Sequence, residues 1–107
     1  MTEQQLVIFA TIRAKEEFIE DVRDALLEII EPTLAEEGCY EFSMFENQEK
    51  SNVFHLFEIF RDSASLDEHY QKPYTKAVFE KYEGWLEEPV EVVKMNKPNV
   101  TMSGEKV

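Results

Sequence analysis

Two hydrophobic periodicities alternate along this chain, and their order leaves few folds open. Short runs rich in β-branched and aromatic residues stand at 6–13, 39–46, 53–61 and 90–95. Between them, apolar residues recur every third or fourth position. The first run, Leu6 to Arg13, is nearly all apolar, which predicts a strand buried on both faces or nearly so. Next, Phe18, Ile19, Val22, Ala25, Leu26, Ile29 and Ile30 form one stripe, with Glu16, Glu17, Glu20, Asp21, Asp24 and Glu28 filling the other side. That pattern is an amphipathic helix. Pro32 lacks a backbone donor and crowds the turn before it, so a kink is expected there, followed by a short helical stretch over 33–37. Gly38 is placed to end that stretch at positive φ.

The runs from Cys39 and from Val53 flank the polar turn 47–52 and read as a hairpin. In its second arm the period of two puts Phe54, Leu56, Glu58 and Phe60 on one face and Val53, His55, Phe57, Ile59 and Arg61 on the other. A helix follows. Asp62, Ser63 and Ser65 could each cap it, and Ser65 to Glu68 has the S-x-x-E form. Pro73 begins another helix at a position where a missing N–H costs nothing. Tyr74, Ala77, Val78, Tyr82, Trp85 and Leu86 supply its apolar stripe, and Pro89 blocks its continuation.

The resulting order, β-α-β-β-α-β with the second helical region in two pieces, is that of a ferredoxin-like α+β fold: a four-stranded antiparallel sheet with helices on one face. The strands carry Phe, Met and Leu on both sides, so the face without helices would expose a large apolar patch. A homodimer that packs two such faces together removes the patch. Residues 1–97 read as a single domain and 98–107, which lack a pattern, as a mobile tail.

Composition narrows the partners. With 23 acidic against 11 basic residues the chain carries a formal charge of −12. Nucleic acid and anionic membrane surfaces both demand a basic face, and neither is expected as a partner. Much of the acid lies on the outer side of the first helix, where it reads as a solvated surface. One cysteine allows no internal disulfide. A start unlike a signal peptide and the lack of a long apolar run point to the cytoplasm.

Few residues suggest chemistry. No metal motif and no glycine-rich phosphate cradle occurs, so neither metal nor cofactor is expected. Cys39 reads as a small buried residue, and Tyr82 and Trp85 as core. Glu58 stands out, because a carboxylate among Phe54, Leu56 and Phe60 needs a partner or a raised pKa. His69, on the helix just after that strand, is its natural partner, and Tyr74 could complete a polar cluster with them. The residue types leave two readings open: a structural pair, or an acid–base couple. His55 points to the opposite strand face from Glu58, so the two cannot line the same cavity.

These pieces, in this order, resemble the antibiotic biosynthesis monooxygenase family. The matching segments are Ala10 to Lys15, Glu31-Pro32-Thr33, Glu37-Gly38-Cys39, Phe57-Glu58-Ile59-Phe60, Leu66-Asp67-Glu68-His69 and Pro73 to Ala77, spread over about residues 6–96. There are departures. Glu16-Glu17 replaces a frequent Pro-Gly, Phe60 a frequent Trp, and Tyr74 a frequent His. The haem-degrading branch of the same fold carries a Trp and a His ligand where this chain has His69 and Phe79, so haem is not expected.

The resemblance implies a dimeric α+β barrel and a cofactor-independent monooxygenase acting with molecular oxygen on a quinol or a polycyclic aromatic. For that reaction the expected roles are His69 as base, Glu58 as the group that orients it, Tyr74 as donor to a substrate oxygen, and Phe60 and Arg13 as substrate contacts. Two other functions suit the same residues. One is isomerisation of a hydroxyketone signal metabolite, with Arg13 and Lys72 as the candidates to hold a phosphate. The other is a non-catalytic, small-ligand-binding stress-response module.

Overall fold

The computed structural model describes residues 5–97; the expected tail, 98–107, lies outside the described residues. The chain runs β1 (Leu6–Arg13), one 3₁₀ turn (Glu16–Phe18), α1 (Ile19–Leu34), β2 (Cys39–Glu46), β3 (Val53–Phe60), α2 (Ser63–Gln71), α3 (Pro73–Trp85) and β4 (Glu91–Asn96). The strands form one antiparallel sheet in the order β2-β3-β1-β4. This is the ferredoxin-like α+β arrangement that the periodicities predict.

Register decides what each face carries. In the β1–β3 pairing Ile8 lies opposite Glu58, Ala10 opposite Leu56 and Ile12 opposite Phe54. These residues point toward the helices and are buried, together with Phe42 and Phe60. Val22, Ala25, Leu26 and Ile29 of α1, Leu66 of α2, and Val78 and Tyr82 of α3 close over them as a single core. Glu58 is therefore a carboxyl set into the main core. The other sheet face carries Phe9, Phe45, Val93 and Met95, which are 37–52% exposed.

Two local expectations, at Pro32 and Gly38, are corrected, and the cap left open for the next helix is fixed. Pro32 does not divide the first helix; α1 runs unbroken to Leu34 with Pro32 in its last turn, and turns follow it rather than more helix. The carbonyl that loses its donor is that of Glu28, an exposed residue on the solvated side, where water can satisfy it. The helix α2 is capped by Asp62, whose Oδ1 accepts from Ser65 N and Ser65 Oγ at 2.8 Å each, so Ser65 lies inside the helix and is not its cap. Gly38 has no positive φ. Its requirement is steric: a Cβ there would collide with Cβ and Oγ of Ser65. That close approach, with Arg61 N donating to Gly38 O at 2.8 Å, clamps the α1–β2 loop against the start of α2.

Gly38→Ala should therefore destabilise the fold by about 1–3 kcal/mol, the usual cost of overpacking. Urea unfolding monitored by circular dichroism measures it, with a lowered midpoint and an unchanged slope expected.

Candidate functional site

The clamped loop positions Glu36, a residue that sequence reasoning passed over. Its side chain is 8% exposed, and its Oε2 accepts from His69 Nδ1 at 2.8 Å. The Tyr74 hydroxyl donates to the same oxygen and also reaches the Pro32 carbonyl at 3.2 Å. That carbonyl is one of the last in α1, and helix ends leave such acceptors without intrahelical partners. Its neighbours Glu31 O and Thr33 O take backbone N–H groups of Ala35 and Glu36. Glu36 and Tyr74 thus tie the end of α1 to α2 and α3.

His69 is 4% exposed and ringed by aromatic faces, with Phe60 at 5.3 Å and Phe42 and Tyr70 at 5.8 Å between centroids. With Nδ1 held by a carboxylate, the proton of the neutral ring sits on Nδ1 and the lone pair on Nε2. Glu36, not Glu58, is therefore the group that orients this imidazole. The sequence pointed to Glu58 because β3 directly precedes α2; Glu36, 33 residues from His69, comes close only through the fold.

Glu58 has no hydrogen-bond partner among the described residues. It is 6% exposed, and burial, reinforced by the nearby Glu36 charge, pushes its carboxyl up to about 7. It faces a chamber of about 30 Å³ whose walls include His69, Phe42, Leu56, Thr75 and Val78. Thr75 is 1% exposed, and its Oγ1 has no partner. The chamber holds one water or a diatomic molecule, and an aromatic ring does not fit. Beside it, between α3 and β4, lies a cleft of about 910 Å³. Tyr70, Phe79, Tyr82, Val90 and Val92 line both spaces.

The other expected site residues lie elsewhere. The Tyr74 hydroxyl is committed to Glu36 and Pro32, so it positions Glu36 and does not donate to substrate. Phe60 is fully buried against His69 and lines neither space. Arg13 pairs with Glu88 and Glu91 at 3.0 Å and likewise lines neither.

His55 lies on the opposite sheet face, as expected, stacked on Phe9 at 5.3 Å. Asn47 Oδ1 accepts from the backbone N–H groups of Glu49 and Lys50, so its amide nitrogen is the donor to His55 Nε2 at 3.1 Å. Tyr82 is core, as read, and also a wall of both spaces. Cys39 is buried, its thiol pushed up to about 11 chiefly by burial, which leaves it a poor nucleophile. Among the described residues no cluster of three or more His, Cys, Asp or Glu is placed to hold a metal ion. No helix among them is long and apolar enough to cross a membrane.

Residues 5–81 match the family described as antibiotic biosynthesis monooxygenase. An uncharacterized Synechocystis protein, sll1783, is 33% identical over 87 residues, which is 81% of this chain and 59% of that protein. This chain thus spans well under two thirds of that relative's length. Among solved structures, PA3566 of Pseudomonas aeruginosa superposes with a TM-score of 0.86 at 23% identity, covering 92% of this chain and 98% of that one. Rv0793 of Mycobacterium tuberculosis gives 0.84 at 26% identity, covering 92% and 99%. A structure titled antibiotic biosynthesis monooxygenase gives 0.82 at 25%, covering 87% and 98%.

The raised Glu58 carboxyl makes stability depend on pH. The unfolded chain gives up this proton near 4.5, whereas the folded chain keeps it to about 7. The contribution of Glu58 to stability therefore falls as pH rises through that window, by about 3 kcal/mol in all. Glu58→Gln should remove the fall. Urea midpoints at pH 5 and pH 8 will show the variant gaining on wild type at the higher pH.

Proposed function

The chain belongs to the antibiotic biosynthesis monooxygenase family, and on that premise we propose that it is a cofactor-independent monooxygenase oxidising a quinol or polycyclic aromatic with molecular oxygen. One observation carries this reading. A carboxyl that titrates near 7 and has no hydrogen-bond partner among the described residues faces the same chamber as an imidazole held at its other nitrogen by Glu36. A held imidazole and an unpartnered carboxyl are the parts of an acid–base pair.

The substrate ring occupies the cleft, with its reacting carbon at the mouth of the chamber. His69 Nε2 removes the acidic proton, and the electron-rich anion passes electrons to oxygen, forming a carbon–oxygen bond and a peroxide. Protonated Glu58 delivers a proton to that peroxide. For an anthrone-like ring, CH₂ and O₂ become C=O and H₂O. The four electrons that oxygen accepts come from the substrate carbon, and the two protons lost from carbon end in the water. The apolar walls keep solvent from the reactive anion. His69 remains the base expected from the sequence, while Glu58 acts as proton donor and leaves orientation to Glu36.

A homodimer in the cytoplasm belongs to the same proposal. The exposed Phe9, Phe45, Val93 and Met95 on the helix-free sheet face support it. Scattering or sedimentation should give twice the 12.6 kDa chain mass, and a single-chain mass would refute the dimer.

Oxygen uptake with a panel of quinols and anthrones, in the presence of a chelator, tests the reaction. Wild type should turn over at least one of them, and His69→Ala should lower kcat/KM by about 10²–10⁴-fold. Wild-type kcat should fall as pH rises through about 7, because the proton donor is lost there. Glu58→Gln should lower kcat and abolish that alkaline fall. No turnover by wild type, or undiminished turnover by His69→Ala, defeats the mechanism. Anaerobic isomerisation of a hydroxyketone, or a bound ligand recovered unchanged, would instead favour the two alternatives named from the sequence.

A further inference from the structure

The charge at the rim of the cleft goes beyond the reaction class and bears on the kind of substrate. The walls are aromatic and aliphatic: Tyr70, Phe79 and Tyr82, with Leu86, Val90 and Val92. Tyr70 and Phe79 meet edge-to-face at 6.2 Å, and Phe79 and Tyr82 at 5.6 Å. Around these walls stand Glu80, Glu83, Glu87 and Glu88 against the single Lys76. Glu88 is paired with Arg13 and Glu87 with Asn52, but among the described residues no ion pair engages Glu80 or Glu83.

Two further features point to an occupant. Tyr82 is 6% exposed, lines the cleft, and its hydroxyl has no hydrogen-bond partner among the described residues. At the inner end, Glu58 and the Thr75 hydroxyl also lack partners and line a chamber that shares five wall residues with the cleft. Aromatic faces attract cations through their quadrupoles, and carboxylates at the rim add to that attraction.

We infer that this cleft selects a planar apolar molecule bearing a protonated amine over its uncharged counterpart, and rejects the corresponding anion. This rests on the cleft being the substrate site of the proposed enzyme, although the binding preference is measured without turnover. A substrate of this kind places its flat body against Tyr70, Phe79 and Tyr82 and its ammonium at Glu80 and Glu83. A phosphorylated or carboxylated substrate meets repulsion at the rim.

Calorimetric titration of the full chain at pH 7.5 with three matched probes tests the inference. The probes are 1-naphthylmethylamine, 1-naphthylmethanol and 1-naphthoate. The ammonium should bind about tenfold more tightly than the alcohol at low salt, and the carboxylate should show no saturation. The gap should narrow in 0.3 M salt, which screens exposed charges. Glu80→Gln with Glu83→Gln should reduce the ammonium preference severalfold and leave alcohol binding unchanged. Asp24→Asn with Glu28→Gln, exposed on α1 and outside the lining of the cleft, removes the same charge and should leave the preference intact.

Equal affinities, a preference for the carboxylate, no saturable ammonium binding at millimolar concentration, or equal loss in both double variants would overturn the inference. Failure of oxygen uptake would defeat the reaction and leave this binding order standing. A reversed order would leave the reaction standing.

Discussion

The Glu36 carboxylate is the interaction on which the site depends. One oxygen takes the imidazole of α2 and the phenol of α3, and that phenol also meets a carbonyl at the end of α1. Three helices are thereby referred to a single buried anion. Such a group is costly to bury unless its hydrogen bonds are made, and its two donors come from different elements. Loss of either donor would leave charge unsatisfied in the core. The loop carrying Glu36 is held in turn by the contact of Gly38 with Ser65 and by the bond from Arg61 N to Gly38 O. A glycine at a tight approach thus decides where the imidazole sits.

A second carboxyl completes the electrostatics by having no such support. Glu58 lies across from Ile8 in the sheet register, among apolar neighbours, with the Glu36 charge nearby. Burial and like charge act in the same direction, toward the protonated form. Two neighbouring acids thus differ in support, since Glu36 is hydrogen-bonded twice and Glu58 has no partner among the described residues. This difference gives the proposed mechanism a held imidazole on one side of the chamber and a proton donor on the other. The electronegative rim of the cleft has a separate source, the carboxylates of Glu80 and Glu83.

Much of the fold was legible in the chain. The bounds of β1 and β2, the start of α3 and the order of the strands and α-helices follow from hydrophobic period and the proline at 73. The apolar character of both sheet faces was equally plain, as was the separation of His55 from Glu58. The site was legible only in part. Glu58 and His69 declared themselves through residue type and face, and the structure brings both to one chamber. Glu36 gave no signal, being one acid among many in an acidic stretch just past a helix. Thr75 and Phe79 gave no signal either, since neither falls on the apolar stripe read for α3.

What the sequence determined by itself was local: which segments are strands and helices, and which side chains share a face. Period and steric preference act over a few residues, so they can be read in one dimension. Only the tertiary structure decided which carboxylate meets His69, that the Tyr74 hydroxyl is consumed in holding Glu36, and that Phe60 and Arg13 line neither cavity. It also decided that Gly38 is needed for the space its missing Cβ leaves, not for its φ. Those outcomes rest on distances between residues dozens of positions apart. They are set by how α1, α2 and α3 pack onto the sheet, and no local pattern encodes them.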